Sequence, residues 1–269
     1  MNIISKDSKP SLVNKYARYF IEVAYKGTAY SGFQIQENAN TIQAEIEKAF
    51  KILHRNKVEL TGSSRTDAGV HALQNFFHFD YEEGLNPQLV YKINALLPND
   101  IVARQIVEMP VEAHSRFDAT SREYRYCVHR FKDPFVQATS LYFPYKLDVD
   151  IMRQAAEFIL EQTNFFAFSK TNTQVNNFNC QVVKSECIIQ ENSFVYNIEA
   201  NRFLRGMVRA ITASLLKLGR HKLSMQQFES LFTGQNKAGH SVPAQGLFLV
   251  RVNYPENYFP VSGGRFTAY

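Results

Sequence analysis

Between residues 65 and 72 the chain reads Arg65-Thr66-Asp67-Ala68-Gly69-Val70-His71-Ala72. One carboxylate, one permanent cation, one hydroxyl and one imidazole stand there among small residues that let a substrate approach. An ionised carboxylate attacks carbon or takes a proton. Arg65 and Asp67 are two residues apart, so an extended backbone sends both side chains the same way, and a nearby guanidinium favours the charged form of a carboxylate. A second reading suits the same residues: Asp67 holds a turn through its own backbone, ahead of a glycine that supplies unusual dihedrals. On local pattern alone the turn is the commoner use of such a segment.

The elements around this segment follow from hydrophobic periodicity. Tyr19, Ile21, Val23 and Tyr25 alternate on one face of a first strand. A loop rich in Gly, Ser and Gln leads to Asn40, read as an N-cap, and to a helix on which Ile42, Ile46, Ala49, Phe50 and Leu53 recur at helical spacing. Residues 58–61 and 75–79 read as strands on either side of the octet. A short helix at 87–96, with Pro87 in its first turn, precedes a strand at 101–107. Pro110 interrupts the pattern, and the alternation then starts afresh. Tyr124, Tyr126 and Val128 share one face of a strand at 122–128, and a helix follows near 151–160. Residues 180–190 and 193–200 form a hairpin around Glu191 and Asn192. Leu204, Met207, Ile211, Leu215 and Leu218 mark a helix ending at Gly219, on which Arg202, Arg205 and Arg209 make a basic stripe. A helix near 224–232 and a buried strand at 246–250 complete the series.

Length and composition bound what such a framework does. With 269 residues, 45% of them hydrophobic and 13% aromatic, the chain buries a sizeable core in one large or two modest domains. The net charge of +5 favours a phosphate-bearing partner without naming one. Cys127, Cys180 and Cys187 are scattered and odd in number, which suits neither zinc nor a disulfide framework and fits a reducing cytoplasm. The first residues lack the apolar core of a secretion signal, and no window approaches the ~20 apolar residues that span a bilayer. No metal and no membrane are expected.

The octet resembles the signature of the TruA family of tRNA pseudouridine synthases, and four other segments agree in family order. These are Tyr25-Lys26-Gly27-Thr28-Ala29-Tyr30-Ser31-Gly32-Phe33-Gln34-Ile35-Gln36, Ser121-Arg122-Glu123-Tyr124-Arg125-Tyr126, Asn201-Arg202-Phe203-Leu204-Arg205-Gly206-Met207-Val208-Arg209, and Pro243-Ala244-Gln245-Gly246-Leu247. Lys26 stands where the family usually has Asp, and Ser64 where it usually has Gly. The resemblance implies an α+β fold. Two αβ domains with mainly antiparallel sheets join into a continuous platform, residues 19–110 carrying the aspartate loop and 111–253 the second domain, with tails at 1–18 and 254–269. It implies isomerisation of uridine to pseudouridine in the tRNA anticodon stem-loop, at tRNA positions 38, 39 and 40, by a homodimer that needs no cofactor.

Site roles carried by the resemblance are specific. Asp67 matches the catalytic aspartate and Tyr124 the active-site tyrosine, whose ring lies against the uracil. Arg209 matches the arginine that pairs with the aspartate, and Arg65 the arginine that displaces the target base. Leu247 matches an apolar residue lining the uracil pocket, or is a core strand residue. Arg205 and Arg202 contact phosphate or solvent, and His71, which the resemblance leaves without a role, touches RNA or braces its loop. The alternative is a catalytically silent RNA-binding protein of the same fold, which could dispense with Asp67.

Overall fold

The computed structural model describes residues 16–82, 84–171, 175–190, 192–234, 236–260 and 265–267. Within the first half lie β1 (Tyr16–Tyr25), α1 (Ile42–His54), β2 (Thr61–Gly62), β3 (His71–Glu82), α2 (Leu89–Leu96) and β4 (Ile101–Met109). The second half adds β5 (Ser121–His129), β6 (Leu141–Tyr142), α3 (Val149–Leu160), β7 (Val182–Gln190) and β8 (Ser193–Ala200). It ends with α4 (Met207–Gly219), α5 (Met225–Thr233), β9 (Leu247–Asn253) and β10 (Arg265–Thr267).

The ten strands of the described residues belong to one sheet, in the order β10-β4-β1-β3-β9-β5-β8-β7, with β2 on β3 and β6 on β5. Its pairings are antiparallel except β3 with β9 and β5 with β6. The last long strand, β9, therefore inserts between the two halves. Its backbone pairing to β3 is short, His71 opposite Phe248 and Ala72 opposite Leu249. Beyond it a side chain takes over, Val252 N–H donating to Gln74 Oε1 at 3.2 Å. The seam of the sheet thus begins on the last two residues of the octet. After β9 the chain returns to the first half, where Tyr254 and Phe259 pack edge-to-face and stacked on Phe76, both at 5.4 Å, and β10 pairs with β4. No helix among the described residues is long and apolar enough to cross a membrane.

Several elements differ from the sequence expectation, each for a local reason. The cap of α1 is Thr41, whose Oγ1 accepts from Ala44 N–H at 3.3 Å, rather than Asn40. Residues 58–60 are not a strand. Val58 and Leu60 are buried, but the Leu60 backbone is satisfied by α1 side chains, its carbonyl accepting from Gln43 Nε2 at 2.8 Å and its N–H donating to Glu47 Oε1 at 3.3 Å. Pro87 precedes the N-cap of α2, Gln88, instead of standing in its first turn. The hairpin joins β7 and β8 with Gln190 opposite Ser193, although Glu191 lies outside the described residues.

The largest difference concerns α4. Its N-cap is Gly206 at φ +76°, so the helix starts at Met207 and only Arg209 of the three arginines is helical. Eleven of its thirteen residues are buried, which leaves no solvated basic face. The two buried hydroxyls are satisfied within the helix, Thr212 Oγ1 donating to the Val208 carbonyl and Ser214 Oγ to that of Ala210. Such a helix packs nearly all round, as a central element does.

Candidate active site

Asp67 sits in the connection between β2 and β3. Val70 N–H donates to the Asp67 carbonyl at 3.1 Å and Gly69 takes φ +78°, a left-handed conformation cheap only for glycine. The turn is therefore closed by backbone groups. The Asp67 carboxylate meets two guanidiniums instead, Arg205 Nε at 3.3 Å from Oδ1 and Arg209 Nη1 at 3.9 Å from Oδ2. The main chain of the octet thus makes a turn, while the Asp67 carboxylate takes no part in closing it and faces the two arginines.

Arg209 is the better fixed of the two cations. Its Nε donates to the Val242 carbonyl at 2.7 Å, Val242 N–H returns a bond to the Arg209 carbonyl at 3.2 Å, and its side chain is only 23% exposed. Arg205 is 59% exposed and is anchored through its carbonyl, which accepts Lys170 N–H at 2.9 Å. Arg205, left between phosphate and solvent by its sequence, is a direct partner of Asp67. Arg65 is not. It is exposed and lines a cavity with Arg116 and Phe117, so an extended Arg65–Asp67 pair does not form.

Tyr124 lies within electrostatic reach of both Asp67 and Arg122, and its ring meets Phe203 edge-on at 4.9 Å. Burial pushes its phenol up to about 12, with the Arg122 charge opposing and Asp67 adding a little. At neutral pH this tyrosine is an uncharged donor and a flat ring. On the same sheet, Leu247 is buried opposite Tyr126, whose hydroxyl donates to the Pro243 carbonyl at 2.7 Å.

Three loops are locked together around the octet. Gly32, at φ +108°, lies so close to it that an added Cβ would stand 3.1 Å from the Thr66 carbonyl oxygen and 3.4 Å from the Asp67 carbonyl carbon. His71 is the second lock. Gly27 N–H, which can only donate, lies 3.0 Å from Nδ1, and the Gln245 carbonyl, which can only accept, lies 3.0 Å from Nε2. The imidazole is therefore neutral with its proton on Nε2, and burial lowers its pKa. A third support is polar and buried: Tyr25 OH pairs with Thr66 Oγ1 at 2.9 Å, while Asn75 Nδ2 donates to Tyr25 OH and to the Ser64 carbonyl. Neither Tyr25 nor Asn75 was singled out from sequence, because each reads there as an ordinary strand residue. Ser64 is not among the residues at positive φ, so the serine enters the loop without backbone strain. Its Oγ is buried without a hydrogen-bond partner.

Comparison with known proteins bears on this arrangement. The family described as tRNA pseudouridine synthase matches residues 21–118 and 159–255. The tRNA pseudouridine synthase A of Parabacteroides distasonis is 44% identical over 248 residues, covering 91% of this chain and 98% of that protein. That of Bacteroides fragilis is 42% identical, covering 90% and 98%. The Staphylococcus aureus protein (strain JH1) is 34% identical, covering 89% and 92%.

Proposed function

Because the chain belongs to the tRNA pseudouridine synthase family and isomerises uridine in tRNA, we propose that Asp67 carries the reaction on a flipped-out nucleotide of the anticodon stem-loop. The reaction breaks the N1–C1′ bond, turns the base and forms a C5–C1′ bond; C5 loses a proton and N1 gains one, so composition is unchanged. A carboxylate serves by attacking C1′, attacking the base or removing a ribose proton. The observation that carries the proposal is the Asp67 carboxylate, outside the turn that its main chain closes and held between Arg205 and Arg209 near the seam of the sheet.

The other roles follow from position. Arg209, pinned by Val242, orients the carboxylate, and Arg205 adds a second, more mobile cation able to meet the target's phosphate. Tyr124 offers its ring to the detached uracil. Its phenol, held neutral, takes the C5 proton only by passing its own proton on. Arg65, exposed two residues from Asp67, props the gap left by the extruded base. Leu247 supplies the apolar wall of the base pocket. In this reading the halves 19–110 and 111–253 flank the tRNA cleft, and the enzyme works in the cytoplasm as a homodimer without metal or cofactor; sedimentation of the purified protein tests the dimer.

Unmodified tRNA incubated with the protein and mapped by pseudouridine-selective labelling tests the proposal. Label is expected at anticodon-arm uridines with the wild type and at none with Asp67→Ala. Equal labelling by both would remove Asp67 from the mechanism, and label confined to another arm would overturn the substrate site.

A further inference from the structure

A cavity of about 340 Å³ opens beside the octet, lined among others by Phe33, Gln34, Arg65, His114, Arg116 and Phe117. Its volume lies in the range of small-ligand sites. The wall formed by residues 114–118 is unusually well fixed for a surface turn. His114 Nδ1 accepts from Arg116 N–H at 3.1 Å and Phe117 N–H at 3.3 Å, while His114 N–H donates to Asp118 Oδ2 at 2.8 Å. Arg122 Nη2 donates to the Arg116 carbonyl at 2.6 Å, and Tyr258 OH to Asp118 Oδ2 at 2.6 Å.

This rigid turn presents an aromatic ring to solvent. Phe117 is 75% exposed, backed by the His114 ring at 4.2 Å and flanked by the Arg116 guanidinium at 5.8 Å. Burial first, and then the positive charges of Arg65 and Arg202, lower the Arg116 pKa. Arg65 and Arg116 both line this cavity and no carboxylate is among its lining residues, so an anion entering it meets two positive charges. An open aromatic face in a positive groove is how proteins take up unpaired nucleotides, base on ring and phosphate on cation. Arg65 ties the cavity to the chemistry, since two residues of chain place its Cα within about 7 Å of that of Asp67.

We propose that this cavity is a second nucleotide subsite, which takes an unpaired nucleotide flanking the target uridine, its base stacked on Phe117 and its phosphate between Arg116 and Arg65. The inference rests on the tRNA reading above and adds to it a positioning contact outside the reacting base. Phe117 then helps decide which uridine is presented, because a stacked neighbour sets the register of the strand.

Filter binding of an unmodified tRNA transcript at fixed salt tests the subsite with Phe117→Ala, Phe117→Leu, Phe117→Tyr and Arg116→Gln. Phe117 is exposed enough that its variants are expected to fold, which thermal melting checks. Phe117→Ala and Phe117→Leu should weaken Kd by about 5- to 150-fold, the worth of one stacked base, with KM rising in step, while Phe117→Tyr stays within about threefold of wild type. Arg116→Gln should reduce the slope of log Kd against log salt by about one phosphate contact. Wild-type affinity in Phe117→Ala, or in Phe117→Leu, would overturn the proposal; the second outcome would mark an apolar docking surface for another protein chain. Pseudouridine formation by the wild type, measured in parallel, tests the isomerase reading separately, because the stacking contrast is read from Kd alone.

Discussion

Replacing His71 by Ala removes a side chain that bonds both the loop at Gly27 and the loop at Gln245. The Gly27 N–H is buried and would lose its acceptor, a cost of about 1–3 kcal/mol. Gln245 is half-buried, so water reaches its carbonyl in part and about 1 kcal/mol is the fitting figure. Loss of the imidazole also leaves a void against Phe248, whose ring centroid lies 4.6 Å away, adding about 1 kcal/mol. The sum is about 3–5 kcal/mol, within the ~5–15 kcal/mol by which such domains are stable. His71→Ala should therefore fold in the cold, melt early, and form pseudouridine slowly because the loops flanking Asp67 separate. Two further variants split the effect. An Asn oxygen replaces Nδ1 and keeps the buried Gly27 bond, whereas a Gln nitrogen replaces Nε2 and keeps only the Gln245 bond. Urea unfolding at pH 7.5 should rank wild type above Asn, Asn above Gln, and Gln above Ala. The pH dependence has a definite sign. Burial lowers the His71 pKa, so its contribution is complete above the ordinary histidine value of ~6.5 and is lost as pH falls through the lowered one. A loss below ~1 kcal/mol in His71→Ala, or an Asn variant no better than Ala, would refute the bracing role.

Substituting the two cations should separate their roles: Arg209→Gln slows single-turnover pseudouridine formation by tenfold or more, while Arg205→Gln, removing a largely exposed partner worth about 0.2–1 kcal/mol, slows it by at most about fivefold. Equal losses would remove the distinction. Ser64→Ala should raise stability by about 1 kcal/mol in urea titrations, because it deletes a buried hydroxyl that has no partner. His78 gives the fold a separate acid sensitivity. Its Nδ1 accepts from Ser115 N–H at 3.2 Å, and burial first, then the Arg18 charge, lowers its pKa to about 4. The folded state thus resists proton uptake, and about 2 kcal/mol of stability, after allowance for solvent screening, should vanish between pH ~6.5 and 4. His78→Asn, which keeps an acceptor but no titration, should flatten that part of the profile.

Local pattern alone located most strands and helices, since burial on one side of a strand or helix writes itself into the chain at periods of two and 3.6. Tyr124, Tyr126 and Val128 are legible as one buried face for that reason. The octet is legible as a segment able to do chemistry, and its likeness to one family named Asp67 as the carboxylate. What it did with its side chain was decided elsewhere. Arg205 lies 138 residues from Asp67, and no periodicity spans such a distance. The stripe of Arg202, Arg205 and Arg209 looked helical because spacing carries no record of backbone sign; Gly206 at φ +76° breaks it and swings Arg205 out of the helix to the carboxylate. Nor does the sequence show that β9 crosses to β3, a parallel pairing of two residues completed by Gln74. Sequence, then, determined which residues could react and which faces must be buried. Tertiary structure alone decided that one seam in the sheet brings Asp67, its two arginines and the bracing His71 together, because that meeting depends on long-range strand order and on a single glycine's dihedral.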